Sequence, residues 1–403
     1  MKKLEKSVPI IRFKGFYEAW EQRKLRDIAN YRNGKAHEQV EDEDGKYTII
    51  NSKFISTNGK VQRYTNEQVE PIFDGEIAMV LSDLPNGKEL AKLFLVKEDG
   101  KYTLNQRIAG ITPNENIDPI FLNFRMNRNN YFLKFDSGVT QTNLSKSQVE
   151  NFIALYPTFD EQYKIGLFFT QLDDTIALHQ RKLDTLKRMK KGLLQQMFPN
   201  NEEKVPRLRF ADFNEKWERC KISSFARNTY GGGTPKTNVP EYWQGRIPWI
   251  QSGDLLIDSL FNIIPKKHVT GSAVKSSATK CIPANSIAIV TRVGVGKLAF
   301  IPFEYTTSQD FLSLSNLRVD SNFGTYSIYI MLQRELNNIQ GSTIKGITKS
   351  DLLEKNINKP LNRIEQERIG VSLKLLDNII TLHQSKLEKL SSLKKVYLQR
   401  MFI

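Results

Sequence analysis

A long amphipathic helix is written into this chain twice. The run Leu172, Ile176, His179, Leu183, Leu186, Lys190, Leu193, Met197 returns as Leu376, Ile380, His383, Leu387, Leu390, Lys394, Tyr397, Met401, at a constant displacement of 204 residues (376 − 172 and 401 − 197). The steps alternate four and three, so each copy presents an apolar seam to another helix over several turns. One chain therefore carries both partners of one coiled coil, and its fold must be organised about that pair.

Matching start signals support duplication. Thr158 precedes Glu161 by three residues, as Asn362 precedes Glu365, each reading as a capping box, with Pro157 and Pro360 just upstream. A shorter front segment repeats as well: Pro9, Arg12, Phe13, Phe16, Glu18 and Trp20 return as Pro206, Arg209, Phe210, Phe213, Glu215 and Trp217, displaced by 197 residues (206 − 9 and 217 − 20). Between each front and its helix lies a domain-sized stretch in which the copies diverge. The resulting partition is a front segment (1–20), a variable domain (21–150), a helix (151–199), a linker with the second front (200–217), a second variable domain (218–350) and a second helix (351–403).

Within the variable domains, strand-like runs at 47–50, 77–81, 287–290 and 298–301 precede helical stretches at 119–130 and 326–338, giving an α/β (α+β) class with a twisted sheet in each. Lys and Arg number 59 against 44 acidic residues, a formal charge of +15, which favours a polyanionic partner. Two cysteines, Cys220 and Cys281, are too few for a disulfide framework or a thiolate metal site. With neither an apolar leader after Met1-Lys2-Lys3 nor a membrane-length apolar run, the expected setting is the cytoplasm.

Catalytic signatures are missing. Val293-Gly294-Val295-Gly296-Lys297-Leu298 has a superficial phosphate-loop look, but Thr291 stands where the first glycine belongs and Leu298 replaces the magnesium-binding hydroxyl. Asp118-Pro119-Ile120-Phe121 reads as a helix start. His179 and His383 read as seam residues, since no carboxylate or thiolate completes a metal shell around them. Lys190 and Lys394 suit solvated helix ends with snorkelling stems, and Trp20 and Trp217 suit packing where each domain meets the helices.

The second variable domain opens with Tyr230-Gly231-Gly232-Gly233-Thr234-Pro235-Lys236 and continues through Ile247-Pro248-Trp249-Ile250 to Ser252-Gly253-Asp254-Leu255. With the Pro-x-x-x-Glu-Gln helix start and the duplicated layout, these strings resemble the specificity (S) subunits of type I restriction-modification systems over the whole chain. The resemblance implies two target recognition domains, each reading one half of a split, asymmetric duplex DNA site. It further implies two long antiparallel helices forming an intramolecular coiled coil with pseudo-twofold symmetry. The implied partners are two methyltransferase (M) subunits, bearing S-adenosylmethionine, and restriction/translocase (R) subunits using ATP and Mg. This chain would hold no cofactor, no metal and no catalytic residue. Half-site centres are expected about 10 base pairs apart, one helical turn.

Base readout needs amide or guanidinium groups, and phosphate positioning needs cations, hydroxyls and backbone amides. The polar loop residues offering these are Asn51, Ser52, Lys53, Gln106, Arg107, Thr140, Gln141, Asn143 and Lys146 in the first domain. In the second they are Thr234, Lys236, Gln251, Ser252, Arg292, Ser308, Gln309, Thr343, Lys345 and Lys349. At its opening the first domain departs from the second, with Tyr31-Arg32-Asn33-Gly34-Lys35-Ala36 in place of the Gly-Thr-Pro-Lys string. Two other classes fit parts of the sequence: a coiled-coil scaffold with incidental charge, and a stand-alone DNA-modifying enzyme.

The seam yields a direct test. Replacing Leu183 and Leu387 together with Glu should detach the two halves and the partner subunits while leaving both variable domains folded, which co-purification and circular dichroism measure. Persistent partner binding in that variant contradicts the coiled coil.

Overall fold

The computed structural model describes residues 8–37, 40–85, 87–200, 202–338 and 346–402. They fall into two compact units: one holds the described residues through Gln180 together with those from Ser385, and the other runs from Arg181 to Gln384. Both boundaries lie inside the long helices, Phe159–Gln196 and Arg363–Met401. The expected partition gave each helix a segment of its own; the structure instead assigns each unit the first part of one helix and the last part of the other. With 38 residues, the first helix is about 57 Å long at about 1.5 Å per residue.

In the first unit the main sheet is antiparallel and runs in the order Ala29–Asn33, Ile108–Pro113, Ile77–Val80, Leu93–Leu95. A second, mixed sheet orders Tyr64–Thr65, Tyr47–Ile50, Tyr102–Leu104 and Pro71–Ile72. The second unit repeats the main sheet strand for strand as Ala226–Gly231, Phe311–Leu317, Ser286–Val290, Leu298–Ile301, again antiparallel. Its smaller mixed sheet orders Lys267–Val269, Ile247–Ile250 and Thr306–Thr307. Strands such as Ile77–Val80 and Ser286–Val290 are buried along their whole length, which explains their unbroken apolar runs.

Each unit is closed at its neck by a two-stranded ladder joining where the domain begins to where it ends. Glu21–Lys24 pairs with Ile153–Tyr156, and Glu218–Lys221 pairs with Asn356–Lys359. The helix beside the main sheet differs between units. In the second it runs unbroken over Ser321–Asn338, starting before the expected position because Asp320 accepts the Phe323 N–H at 2.8 Å. In the first it stops at Met126, since Arg128 adopts φ +51, and restarts over Asn130–Leu133 behind the Asn129 cap.

The helix starts correct one expectation. The carboxylate meant to close a capping box is instead the anchor of the front segment. Arg12 donates two hydrogen bonds of 2.8 Å to Glu161, and the Trp20 indole N–H donates a third at 3.3 Å. Arg209 and Trp217 hold Glu365 in the same way, at 2.7, 2.9 and 3.2 Å. Both carboxylates are buried, so bidentate pairing is what makes their burial tolerable. The adjoining Gln162 accepts from the Asp118 N–H and donates to the Pro157 carbonyl; Gln366 does so with Asp320 and Pro360.

The duplicated Ile-Gly pair follows from the same junction. A Cβ on Gly166 would stand 2.9 Å from the Asp118 carboxylate, and one on Gly370 would stand 2.6 Å from the Phe323 backbone nitrogen. Glycine is kept here because another helix start presses against the helix, at a position where it costs propensity.

Inside each unit the helix segments run antiparallel. In the first, Phe168 meets Tyr397 edge-on and Asp173 pairs with Lys394 at 2.5 Å. In the second, Lys190 pairs with Asp377 at 2.5 Å, while Met197 and Phe198 share a core with Ile369 and Leu373. Lys190 and Lys394, expected as solvated ends, are therefore ion-paired to the neighbouring helix, because a seam lysine finds a carboxylate one helix away. Leu183, Leu376 and Leu387 are buried; Leu172, Ile176, His179, Leu186, Ile380, His383 and Leu390 are half-buried on the same stripe.

The Met-Phe ending of each helix completes a unit's core. Phe198 stacks on Phe323 with its edge toward Trp217, and Phe402 stacks on Phe169 beside Phe121. Both front segments bond to the last turn of the helix that ends in their unit, Ile11 N–H to the Arg400 carbonyl and Leu208 N–H to the Gln196 carbonyl. No helix among the described residues is long and apolar enough to cross a membrane.

Two substitutions test this reading. Gly370→Ala, which in an open helix would stabilise by about 1 kcal/mol, should instead destabilise the second unit in a denaturant titration. Glu365→Ala should lower its stability by about 3 kcal/mol, because the Arg209 guanidinium is left buried without its partner.

Candidate nucleic-acid interface

One end of the main sheet gathers three chain segments in each unit, through matching backbone bonds. In the first unit the Leu81 N–H donates to the Arg107 carbonyl at 2.9 Å and the Leu144 N–H to the Leu81 carbonyl at 2.8 Å. In the second, Thr291 N–H donates to the Asp310 carbonyl at 2.7 Å and Ile347 N–H to the Thr291 carbonyl at 2.8 Å. A fourth segment joins from the smaller sheet: Asn105 N–H bonds to the Ile50 carbonyl, and Ser308 N–H to the Ile250 carbonyl.

The opening loops of the two domains, unlike in sequence, take the same path. Lys35 N–H donates to the Leu104 carbonyl and Gly233 N–H to the Thr307 carbonyl. Just before them, a Cβ on Gly34 would lie 2.1 Å from the Asn105 carbonyl oxygen, and one on Gly232 would lie 2.0 Å from that of Ser308. The shared requirement is a residue without a side chain where the loop passes the strand end. In the second unit the loop is further held by the Trp249 indole N–H on the Gly233 carbonyl and the Trp243 indole N–H on the Lys236 carbonyl.

Most of the residues expected from sequence border this convergence. In the first unit Ser52, Lys53, Gln106, Arg107, Thr140, Gln141, Asn143 and Lys146 are exposed. Gln141 donates to the Ser82 hydroxyl at 2.7 Å, and Asn143 pairs with Ser82 in a short ladder. Arg107 sits at φ +67, and neither it nor Lys53 forms an ion pair among the described residues. Lys146 lies over the Tyr31 ring and faces Glu150. Asn51 has a local duty: its side-chain oxygen accepts the Phe54 N–H and caps the helix Ser52–Ser56.

In the second unit Thr234 and Gln309 are exposed and hydrogen-bonded to each other at 2.6 Å, and Lys236 and Arg292 are exposed. Ser308 is buried with its hydroxyl on Asp310, which makes it part of the scaffold beneath Gln309. Gln251 and Ser252 stand in the turn after Ile247–Ile250, where Lys297 donates to the Ser252 carbonyl. The Gly294 and Gly296 of the phosphate-loop-like string serve the hairpin turn, at φ +93 and +96. Lys349 is half-buried, with its ammonium against Gly231. Thr343 and Lys345 lie outside the described residues.

Lys280, Ser82 and Asp310 also stand at this convergence and were not among the residues expected from sequence. Lys280 arrives because the buried Thr279 hydroxyl donates to the Gly233 carbonyl, a long-range contact with no periodic signature. Arg32, in contrast, is occupied: it binds Glu76 and Glu70 beneath the opening loop.

Comparison with known proteins agrees with this duplicated plan. The family model described as the type I restriction modification DNA specificity domain matches residues 17–188 and again 214–392. The EcoR124I/EcoR124II type I restriction enzyme specificity subunit of Escherichia coli is 35% identical over 175 residues, 40% of either chain. The MjaVIII specificity subunit of Methanocaldococcus jannaschii is 21% identical over 403 aligned residues, covering 94% of this chain and 91% of that one. The fold matches the crystal structure of a type I restriction-modification S subunit from M. genitalium with a TM-score of 0.66 at 12% identity, covering 98% and 99% of the two chains.

The opening loop of the second unit supplies a paired prediction. Gly232→Ala meets rigid backbone and should cost that unit about 1–3 kcal/mol. Gly231→Ala meets only the tip of Lys349 and should leave the denaturation midpoint nearly unchanged.

Proposed function

Because this chain belongs to the type I restriction-modification DNA specificity family, we propose that it is the addressing subunit of a restriction-modification complex, with each unit reading one half of a bipartite duplex DNA site. The observation that carries this reading is the convergence just described: one scaffold, built twice, presents different exposed polar side chains at the same place. Around the matching sheet end the first unit exposes Gln106, Arg107, Gln141 and Asn143, and the second exposes Thr234, Gln309 and Arg292. Amides and guanidinium groups of this kind can bond base edges in the major groove, and the exposed cations suit phosphates. Different chemistry in the two units makes the whole target asymmetric.

In this proposal the chain is not catalytic. Adenine methylation belongs to two methyltransferase subunits that bring S-adenosylmethionine, and cleavage belongs to restriction subunits that bring ATP and Mg. The long helices, whose seams and buried starting glutamates are duplicated, are the surface on which the methyltransferase subunits dock. The setting is the cytoplasm, where the host DNA is.

Exchanging residues 21–150 for the corresponding region of another family member should change one half of the methylated sequence and leave the other half intact, as read by mapping methylated adenines in host DNA. Loss of both halves in a folded, assembled protein contradicts independent reading. Methyl transfer by the purified chain alone contradicts the division of labour.

A further inference from the structure

Three cations of the second unit converge on one strand end. Lys349, first residue of the helix Lys349–Glu354, reaches back over the end of the strand Ala226–Gly231, and its ammonium stands 2.6 Å from where a Cβ on Gly231 would be. Gly231 pairs with Leu312, two residues beyond Asp310. Arg292 follows Thr291, whose N–H and carbonyl tie Asp310 and Ile347 together; a Cβ on Gly346 would stand 3.8 Å from the Arg292 Cα. Lys280 follows Thr279, which is fixed to the Gly233 carbonyl.

Among the described residues none of the three forms an ion pair, whereas Lys221, Lys355 and Lys359 of the same unit all do. The nearby carboxylate, Asp310, already accepts from the Ser308 hydroxyl. The electrostatics carry the mark of crowding: burial first, then Arg292, hold the Lys349 ammonium below the usual lysine range; Asp310 opposes them in part, and Lys280 adds a smaller push in the same downward direction. Like charges brought together in a half-buried setting are unfavourable unless an anion completes them.

We propose that Lys349, Arg292 and Lys280 form a seat for one backbone phosphate of the bound duplex, and that Gly231 is its positioning residue, left without a side chain so that the Lys349 ammonium can cross the strand end. The seat rests on the DNA-reading function proposed above and refines it. It fixes the register of the second unit on the duplex, while the exposed Thr234 and Gln309 beside the same opening loop are left to meet the bases. A phosphate contact carries no sequence information, so its loss weakens all duplexes alike.

The test uses the full chain with its methyltransferase partners and a mixed-sequence duplex, with affinity measured across a salt series. Lys349→Gln should weaken binding about tenfold at low salt and reduce the slope of log affinity on log salt by about one. Lys349→Arg should restore the slope. Gly231→Ala, which displaces the ammonium without touching backbone, should reproduce the Lys349→Gln loss while the protein keeps its thermal midpoint. An unchanged slope in Lys349→Gln, with wild-type binding intact, overturns the seat and leaves the DNA-reading function standing. A wild-type complex with no salt-dependent duplex binding overturns both.

Discussion

The buried carboxylates of Glu161 and Glu365 are the interactions on which the remaining structure hangs. A glutamate without water at the first turn of a long helix is tolerable only if its charge is met, and Arg12 with Trp20, or Arg209 with Trp217, meets it completely. That pairing pins a front segment to the helix start. The front leads straight into the neck ladder, whose other strand runs straight into the helix, so one ion pair fixes both ends of the intervening domain. Breadth of variation above the neck follows, because the loops at the sheet end contribute nothing to this closure.

What the sequence disclosed and what it concealed divide along the same line. The helices, their seam and the repeated front segment were legible because they are periodic or duplicated: Leu183 and Leu387 are buried where the heptad put them. The strands Ile77–Val80 and Ser286–Val290 announced themselves as apolar runs. The role of Glu161 was misjudged, since a capping box and a long-range anchor place the same residue at the same step. Lys190 and Lys394 were misjudged likewise, because their carboxylate partners, Asp377 and Asp173, lie about two hundred positions away. For the interface, loop polarity picked out many exposed residues but could not separate Gln309, which is presented, from Ser308, which is buried beneath it. That distinction depends on which side of a strand end each residue falls.

The opening loops show how far chemistry can drift over a fixed backbone. Tyr31-Arg32-Asn33-Gly34-Lys35 and the Gly231-to-Lys236 string share little beyond one residue without a side chain, yet Gly34 and Gly232 pass equivalent carbonyls at about the same distance. The first unit backs its loop with the Arg32, Glu70 and Glu76 network; the second uses two tryptophan indoles. Either support suffices because the constraint is steric, and everything not touching the constraint is free to change.

The Met-Phe closure has a consequence for how the protein is made. Phe121 and Phe402 touch in one core although 281 positions separate them (402 − 121). A chain leaves the ribosome in order and its leading domain ordinarily folds first, yet here the leading sheet must wait for the whole second unit to be translated before its last aromatic ring arrives. During that interval the apolar surface of Phe121 and Phe169 lacks its cover from Phe402, so the unit translated earlier is sealed later than the one that follows it.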